Sequence, residues 1–161
     1  MKKAVLTCLL ISVCCFGHAA PLGDDALAMI SISADEASEG EQAGVLNFSG
    51  NFLMRSKEWQ LTSEKATVHG SPNKPDRVVL EGTPAQFFIK RDEASNRDQI
   101  KATAQLLEYQ RDKNILLLSG GATLTLQEEV IRSTHIEYDI ETNRYKAGGS
   151  NGVIIEVPTG Y

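Results

Sequence analysis

A single strand pattern is written three times in this chain. The segments VLNFSGNFLM (residues 45–54), VVLEGTPAQFF (78–88) and LLLSGGATLTL (116–126) alternate large apolar residues with polar or small ones. Each has a glycine two residues after a large apolar side chain. Successive side chains of an extended strand point to opposite faces, so a period of two makes one face apolar and the other wettable. An amphipathic helix would need apolar residues at every third or fourth position. Gly50, Gly82 and Gly120 recur 32 and then 38 residues apart. A unit of that length holds two or more strands and cannot bury an apolar face alone, whereas stacked units bury one continuous interior.

The same period fills most of the chain. Leu46, Phe48, Phe52 and Met54 share one phase, and Trp59, Leu61 and Ser63 resume on odd numbers, so the phase flips across residues 55–58 as at a turn. Further runs follow at 78–82, 87–89, 100–102, 107–109, 131–133, 136–138 and 153–155. A second strand type, apolar-x-small, lies between the glycine strands: Ile32-Ser33-Ala34, Leu61-Thr62-Ser63, Ile100-Lys101-Ala102 and Ile131-Arg132-Ser133. SPNKPD (71–76) is expected to lie outside any strand interior, because proline cannot donate to a ladder. Residues 93–98 read as a polar loop, and RDKN (111–114) and ETNR (141–144) as hairpin turns. Only residues 34–43 have a helix-like composition, and Gly40 argues against a helix there. The pattern therefore predicts an all-β chain with no long helix after the leader. Gly50, Gly82, Ala102, Gly120, Ala122 and Ser133 are expected to face inward, where their small size leaves volume that something else could fill.

The first residues follow other rules. Lys2 and Lys3 precede an apolar run at residues 4–16, and Gly17-His18-Ala19 places small residues where a signal peptidase needs them. Residues 1–19 read as a cleavable signal peptide, cut after Ala19 or Ala20; the alternative is a retained membrane anchor, for which the run is short. Residues 20–29 read as a flexible leader, 30–158 as the folded domain and 159–161 as a short tail. Cys8, Cys14 and Cys15 all lie in the signal, so the exported protein would hold no disulfide. It would keep 14 basic and 21 acidic residues and no basic run, which argues against nucleic acid as a partner.

The chemistry of catalysis is missing from the pattern. There is no GxSxG, HExxH, P-loop or GxGxxG motif. His69 and His135 sit in different repeats without metal-ligand spacing, so no metal, cofactor or catalytic residue is expected. Asp35 reads as an outward residue near a sheet edge, or else as a partner contact. The Arg91-Asp92-Glu93 cluster reads as a solvated loop. An acidic chain also makes a poor phosphate clamp.

The segments ISADEA, NFSGNF, LTSEKATV, GTPAQFF and LLLSGGATL, followed by IRSTHIEYD, resemble the repeats of the LptA (OstA-like) family over residues 30–158. Residues 36–44 are more polar than that pattern, and Gly121 stands where it often has asparagine. The resemblance implies an antiparallel β-jellyroll, two sheets in a folded-over V, acting without catalysis in the periplasm during lipopolysaccharide transport to the outer membrane. It implies that positions in the inward phase line a path for lipid A acyl chains. These are Ile30, Ile32, Phe48, Phe52, Leu61, Leu80, Phe87 and Ile100, then Leu107, Tyr109, Leu116, Leu118, Leu124, Ile131 and Tyr138. It implies an LptC-like, inner-membrane-anchored partner at an N-terminal edge that includes Ile32 and Asp35. An LptD-like translocon would meet a C-terminal edge formed by Val153, Ile154, Ile155 and Val157. An open V has two unlike edges, so self-association would run head to tail. Three other readings stay open on residues alone: another member of the same fold, such as a free domain of the anchored partner; a sandwich filled by its own side chains; and a β-jellyroll enzyme or sugar-binding module.

Overall fold

The computed structural model describes residues 29–90 and 99–159. The signal peptide, nearly all of the leader, the 93–98 loop with the Arg91-Asp92-Glu93 cluster, and most of the tail lie outside the described residues. Nine strands follow one another: β1 Ser31–Ser33, β2 Glu36–Glu39, β3 Val45–Arg55, β4 Trp59–Ser71, β5 Lys74–Ile89, β6 Ile100–Gln110, β7 Ile115–Leu126, β8 Glu129–Asp139 and β9 Arg144–Glu156. They form one antiparallel sheet in the order β1-β3-β4-β5-β6-β7-β8-β9, with β2 continuing beside β3 where β1 ends. No helix occurs among the described residues.

Each long strand is broken once near its middle. The register slips between Ser49 and Phe52, Thr62 and Lys65, Glu81 and Ala85, Thr103 and Leu106, Ser119 and Ala122, and Ser133 and His135. These slips align across the sheet as a crease, and the sheet folds along it into two leaves. Leaf A holds β1, the ends of β3, β5 and β7, the starts of β4, β6 and β8, and the end of β9. Leaf B holds β2 and the remaining halves. Phe87 on leaf A and Tyr109 on leaf B stack at 6.2 Å between ring centroids. Tyr109 pairs with Val78, nine residues from Phe87 along β5, and a straight strand would hold those positions about 30 Å apart. The two sheets of the jellyroll V are thus halves of one hydrogen-bonded sheet.

Runs that look separate in sequence are halves of single strands, as 78–82 and 87–89 are in β5 and 131–133 and 136–138 are in β8. Their phase changes at the crease, not at a turn: Leu61 is buried on an odd position of β4, and Ala66 and Val68 on even ones. The segment 71–76 is also more regular than its prolines suggest. Only residues 72–73 turn, and Pro75 is a buried strand residue opposite Gly70. Proline is tolerated at this start of β5, where the register has already slipped between His69 and Gly70. The last hairpin turns one residue earlier than expected, at 140–143.

The repeated glycine belongs to the crease. Gly50 and Gly120 have φ of +71° and +79°, and each is followed by a second left-handed residue, Asn51 at +48° and Gly121 at +62°. Glycine and asparagine are the residues that adopt this conformation with little strain, so Gly121 performs the task that Asn51 performs one repeat earlier. The expectation that these glycines face inward is corrected. A Cβ on Gly120 would meet the exposed Gln105, one on Gly50 would meet the Asp35 carboxylate, and one on Gly82 would meet backbone at Glu64 and Ala85. They permit the bend and close backbone approach; they do not hollow the interior. Ser133 leaves no space either, since its hydroxyl donates toward the Gly148 carbonyl at 2.9 Å, with the Gly152 carbonyl also within reach at 3.1 Å, at the break in β9. Ala102 and Ala122 do face in, and both are fully buried.

Candidate functional site

The free volume lies opposite the crease. A cavity of about 670 Å³ opens between the free ends of the leaves. Its leaf A wall is apolar: Trp59, Leu61, Phe87, Ile89 and Ile100. From leaf B come the rings of Tyr109 and Tyr138, and beyond them residues of three hairpin turns. These turns all fall on leaf B because β4–β5, β6–β7 and β8–β9 reverse at the same end of the sheet.

All fifteen positions expected to line a lipid path lie on the interior side, but they divide in two. Ile30, Leu61, Phe87, Ile100, Tyr109 and Tyr138 reach the cavity wall, and Leu61, Phe87, Ile100 and Tyr138 are at the same time buried members of the core. Phe52, Leu80, Leu107, Leu116, Leu118, Leu124 and Ile131 are packed into the core beneath it, and Ile32 and Phe48 are half-buried against that core. Burying each of these side chains is worth about 1.5–3 kcal/mol, which holds the leaves together whether or not the cavity is filled. Period two separates inside from outside; it does not separate a core position from a cavity wall.

Several wall residues were not foreseen from sequence: Trp59 and Ile89 on leaf A, Lys74 at the start of β5, and Asn73, Arg111, Asn114, Glu141 and Asn143 on the turns. In a linear reading the turn residues serve only as connections. The available signal was that every second turn falls at the same end of a meander.

Hydrogen bonds fix this rim. Tyr138 Oη donates to Asn143 Oδ1 at 2.7 Å, and Asn114 Nδ2 donates to Glu141 Oε2 at 3.3 Å. Arg111 Nη2 donates to Asp76 Oδ1 at 3.0 Å, and the Arg111 amide donates to the Asp76 carbonyl at 3.0 Å. Burial pushes the Tyr109 phenol above its ordinary range, and the neighbouring Arg111 charge pulls it back. Near the β9 end the leaves meet again: Tyr145 Oη on leaf B donates to Glu129 Oε1 on leaf A at 2.9 Å, which raises the tyrosine's pKa.

The two sheet edges differ. At one end, β1 and β2 each pair only with β3. Asp35 lies between them, but its carboxylate accepts from Asn51 Nδ2 at 2.8 Å and its amide donates to the Gly50 carbonyl at 2.8 Å, so it braces the crease. At the other end β9 pairs only with β8 and exposes Val153, Ile154, Ile155 and Val157, with Ile154 57% and Val157 64% accessible. Among the described residues, no group of three or more His, Cys, Asp or Glu side chains could hold a metal ion.

Residues 31–144 match the family model described as LptA/(LptD N-terminal domain) LPS transport protein. Lipopolysaccharide export system protein LptA of Escherichia coli (strain K12) is 24% identical over 125 residues, which are 76% of this chain and 66% of that protein. The match thus spans slightly less than two thirds of that relative's length. Lipopolysaccharide export system protein LptH of Pseudomonas aeruginosa is 26% identical over 152 residues, 89% of this chain and 86% of that protein. The crystal structure of LptH, described as the LptA homologous periplasmic component of the lipopolysaccharide transport device, superposes with a TM-score of 0.71 at 20% identity. It covers 82% of this chain and 96% of that one. At that identity the likeness establishes the fold, a folded-over antiparallel β-jellyroll.

Proposed function

The chain belongs to the LptA/(LptD N-terminal domain) family of LPS transport proteins, and from that premise we propose that it carries lipopolysaccharide across the periplasm. In this reading the signal peptide exports it, and lipid A acyl chains enter the cavity between the free ends of the leaves. It then acts as a bridge element and not as a catalyst. The observation that carries the proposal is the site of the free volume. It lies at the open side of the V, between an apolar leaf A wall and the rings of Tyr109 and Tyr138. Each methylene moved from water into such a place gains about 0.8 kcal/mol, so partly sheltered chains need no polar clamp to be retained. The unpaired β1/β2 edge would receive an LptC-like anchored partner, and the β9 edge an LptD-like translocon or a second copy, by strand addition.

Photo-crosslinking tests the route. A photoreactive residue at Phe87 or Tyr109, both on the cavity wall, is expected to capture lipopolysaccharide. The same residue at Gln86 or Leu117, in the opposite phase, is expected to capture several-fold less. Equal capture from both phases would remove the cavity as the lipid path.

A further inference from the structure

The two lips of the cavity are chemically unlike. Leaf A offers carbon: Trp59, Ile89 and Ile100. Leaf B offers Asn73, Lys74, Arg111, Asn114, Glu141 and Asn143. Several side-chain acceptors on this lip and beneath it already hold a donor. Glu141 receives Asn114, and Asp76 receives Arg111. The side-chain oxygen of Asn143 receives the Tyr138 hydroxyl, and that of Asn73 receives the Ser71 hydroxyl. Several donors remain beside them. An asparagine whose oxygen is bound turns its NH2 group elsewhere. Lys74 is exposed and forms no ion pair among the described residues. Arg111 gives one nitrogen to Asp76, and its Nε is buried with no hydrogen-bond partner.

We propose that the leaf B lip is a headgroup subsite in which Lys74 and Arg111, with the amide donors of Asn73 and Asn143, take a phosphate ester of the lipid whose chains fill the cavity. The proposal rests on the lipid-carrier reading and adds the chemistry of the head to it. Two neighbouring cations with spare donors favour a group that is all acceptors and carries negative charge. A phosphate ester fits that description, whereas a neutral sugar hydroxyl also needs somewhere to donate. Arginine and lysine are the side chains that bind phosphate through charge-assisted hydrogen bonds. The acidic balance of the chain does not oppose this contact. Exposed charges farther away than a Debye length of about 8 Å are largely screened at physiological salt, and on the lip itself Asp76 is paired with Arg111 while Glu141 holds the Asn114 amide. The lip carries almost no net charge of its own, so the apolar chains supply most of the affinity and the lip supplies the choice of head.

The test uses the exported protein and three probes: diphosphoryl lipid A, the same lipid with one phosphate removed, and the fully dephosphorylated lipid. Each is measured by displacement of a fluorescent fatty acid. Wild type is expected to bind the diphosphoryl form roughly tenfold or more tightly than the dephosphorylated form, the scale of a charge-assisted hydrogen bond. Lys74→Gln changes an exposed side chain and is expected to fold normally; it should lose most of that preference while binding the dephosphorylated lipid as wild type does. Arg111→Gln should do the same, with its melting temperature recorded because Arg111 also ties down Asp76. Inorganic phosphate at millimolar concentration should not displace the probe. Wild type binding all three lipids equally, or Lys74→Gln and Arg111→Gln both keeping the wild-type preference, would overturn the subsite and leave the carrier reading standing. Displacement by free phosphate would overturn the lipid as the source of the group. If no lipid displaces the probe, the carrier reading falls, and this proposal with it.

Discussion

Truncation after Gly149 is expected to leave a monomer at concentrations where the protein with its C-terminal residues intact grows into rods. The truncation removes the leaf A half of β9, which pairs with Val130, Ile131, Arg132 and Ser133 of β8 and leaves its other edge open. That half carries four of the exposed large apolar side chains, Val153, Ile154, Ile155 and the adjoining Val157. Proteins normally guard such an edge with charge, proline or a bulge; here Glu156, already drawn to Arg132, and Pro158 stand guard alone. The strands alternate in direction from β3 to β9, and β1 and β2 run opposite to β3. A second copy placed along the stacking direction therefore brings its β1 and β2 antiparallel to the first copy's β9, and the ladder continues. On leaf B this sets Arg144 and Lys146 of one copy near Glu36 and Glu39 of the next. On leaf A it sets the apolar stretch of β9 against Ser31, Ile32 and Ser33. A joint between unlike edges does not close, so it extends into rods that grow with concentration. Light scattering across a concentration series measures this. Ile154→Lys is the gentler companion: it keeps β9 and adds an edge charge, so it is expected to fold with an unchanged melting temperature and still fail to extend. A full-length protein that stays monomeric, or an Ile154→Lys variant that forms normal rods, would place the joint elsewhere.

Gly120→Val is expected to destabilise the protein by about 1–3 kcal/mol, the cost of holding a residue with a side chain in the left-handed region. A β-branched residue is a marked outlier there. Its Cβ would also meet Gln105 Oε1 at 2.7 Å and Gln105 Cβ at 3.0 Å. Gln105 is exposed and flexible, so the backbone term dominates. Gly120→Asn should cost less, because asparagine tolerates this conformation, as Asn51 does in the first repeat. Denaturant melts of the three proteins compare the costs. Lipid capture per folded molecule is expected to stay at the wild-type level, since the missing side chain faces Gln105 and not the cavity. A valine variant that melts like wild type would show that Gly120 does not hold a positive φ in solution. One that folds well but loses lipid would show that it faces inward after all.

The second experiment turns on a distinction that the linear pattern could not make. Alternation of Leu116, Leu118, Ala122, Leu124 with polar neighbours settled that β7 is a strand and which of its faces is apolar, because a two-residue period depends only on local geometry. The recurrence of Gly50, Gly82 and Gly120 settled that the strands come in repeated units. The turn residues settled where the chain reverses, to within a residue or two. These properties reside in a few neighbouring residues, so a sequence displays them directly.

What lay beyond the sequence depends on which distant residues meet. The glycines read as inward because they stand in phase with inward leucines, yet two successive left-handed residues at Gly50-Asn51 and Gly120-Gly121 rotate the backbone and turn the vacant position outward. Phe87 and Leu80 of β5 are both buried in the core, and only the fold at the crease brings Phe87, and not Leu80, to the cavity wall. Lys74, Arg111 and Asn143 sit in or beside three turns far apart in the chain, and they become one lip because the meander reverses at the same end every second strand and the sheet then folds over. Period, charge and turn chemistry are local quantities. The position of the free volume, and of the donors around it, is set by how nine paired strands bend together along the crease.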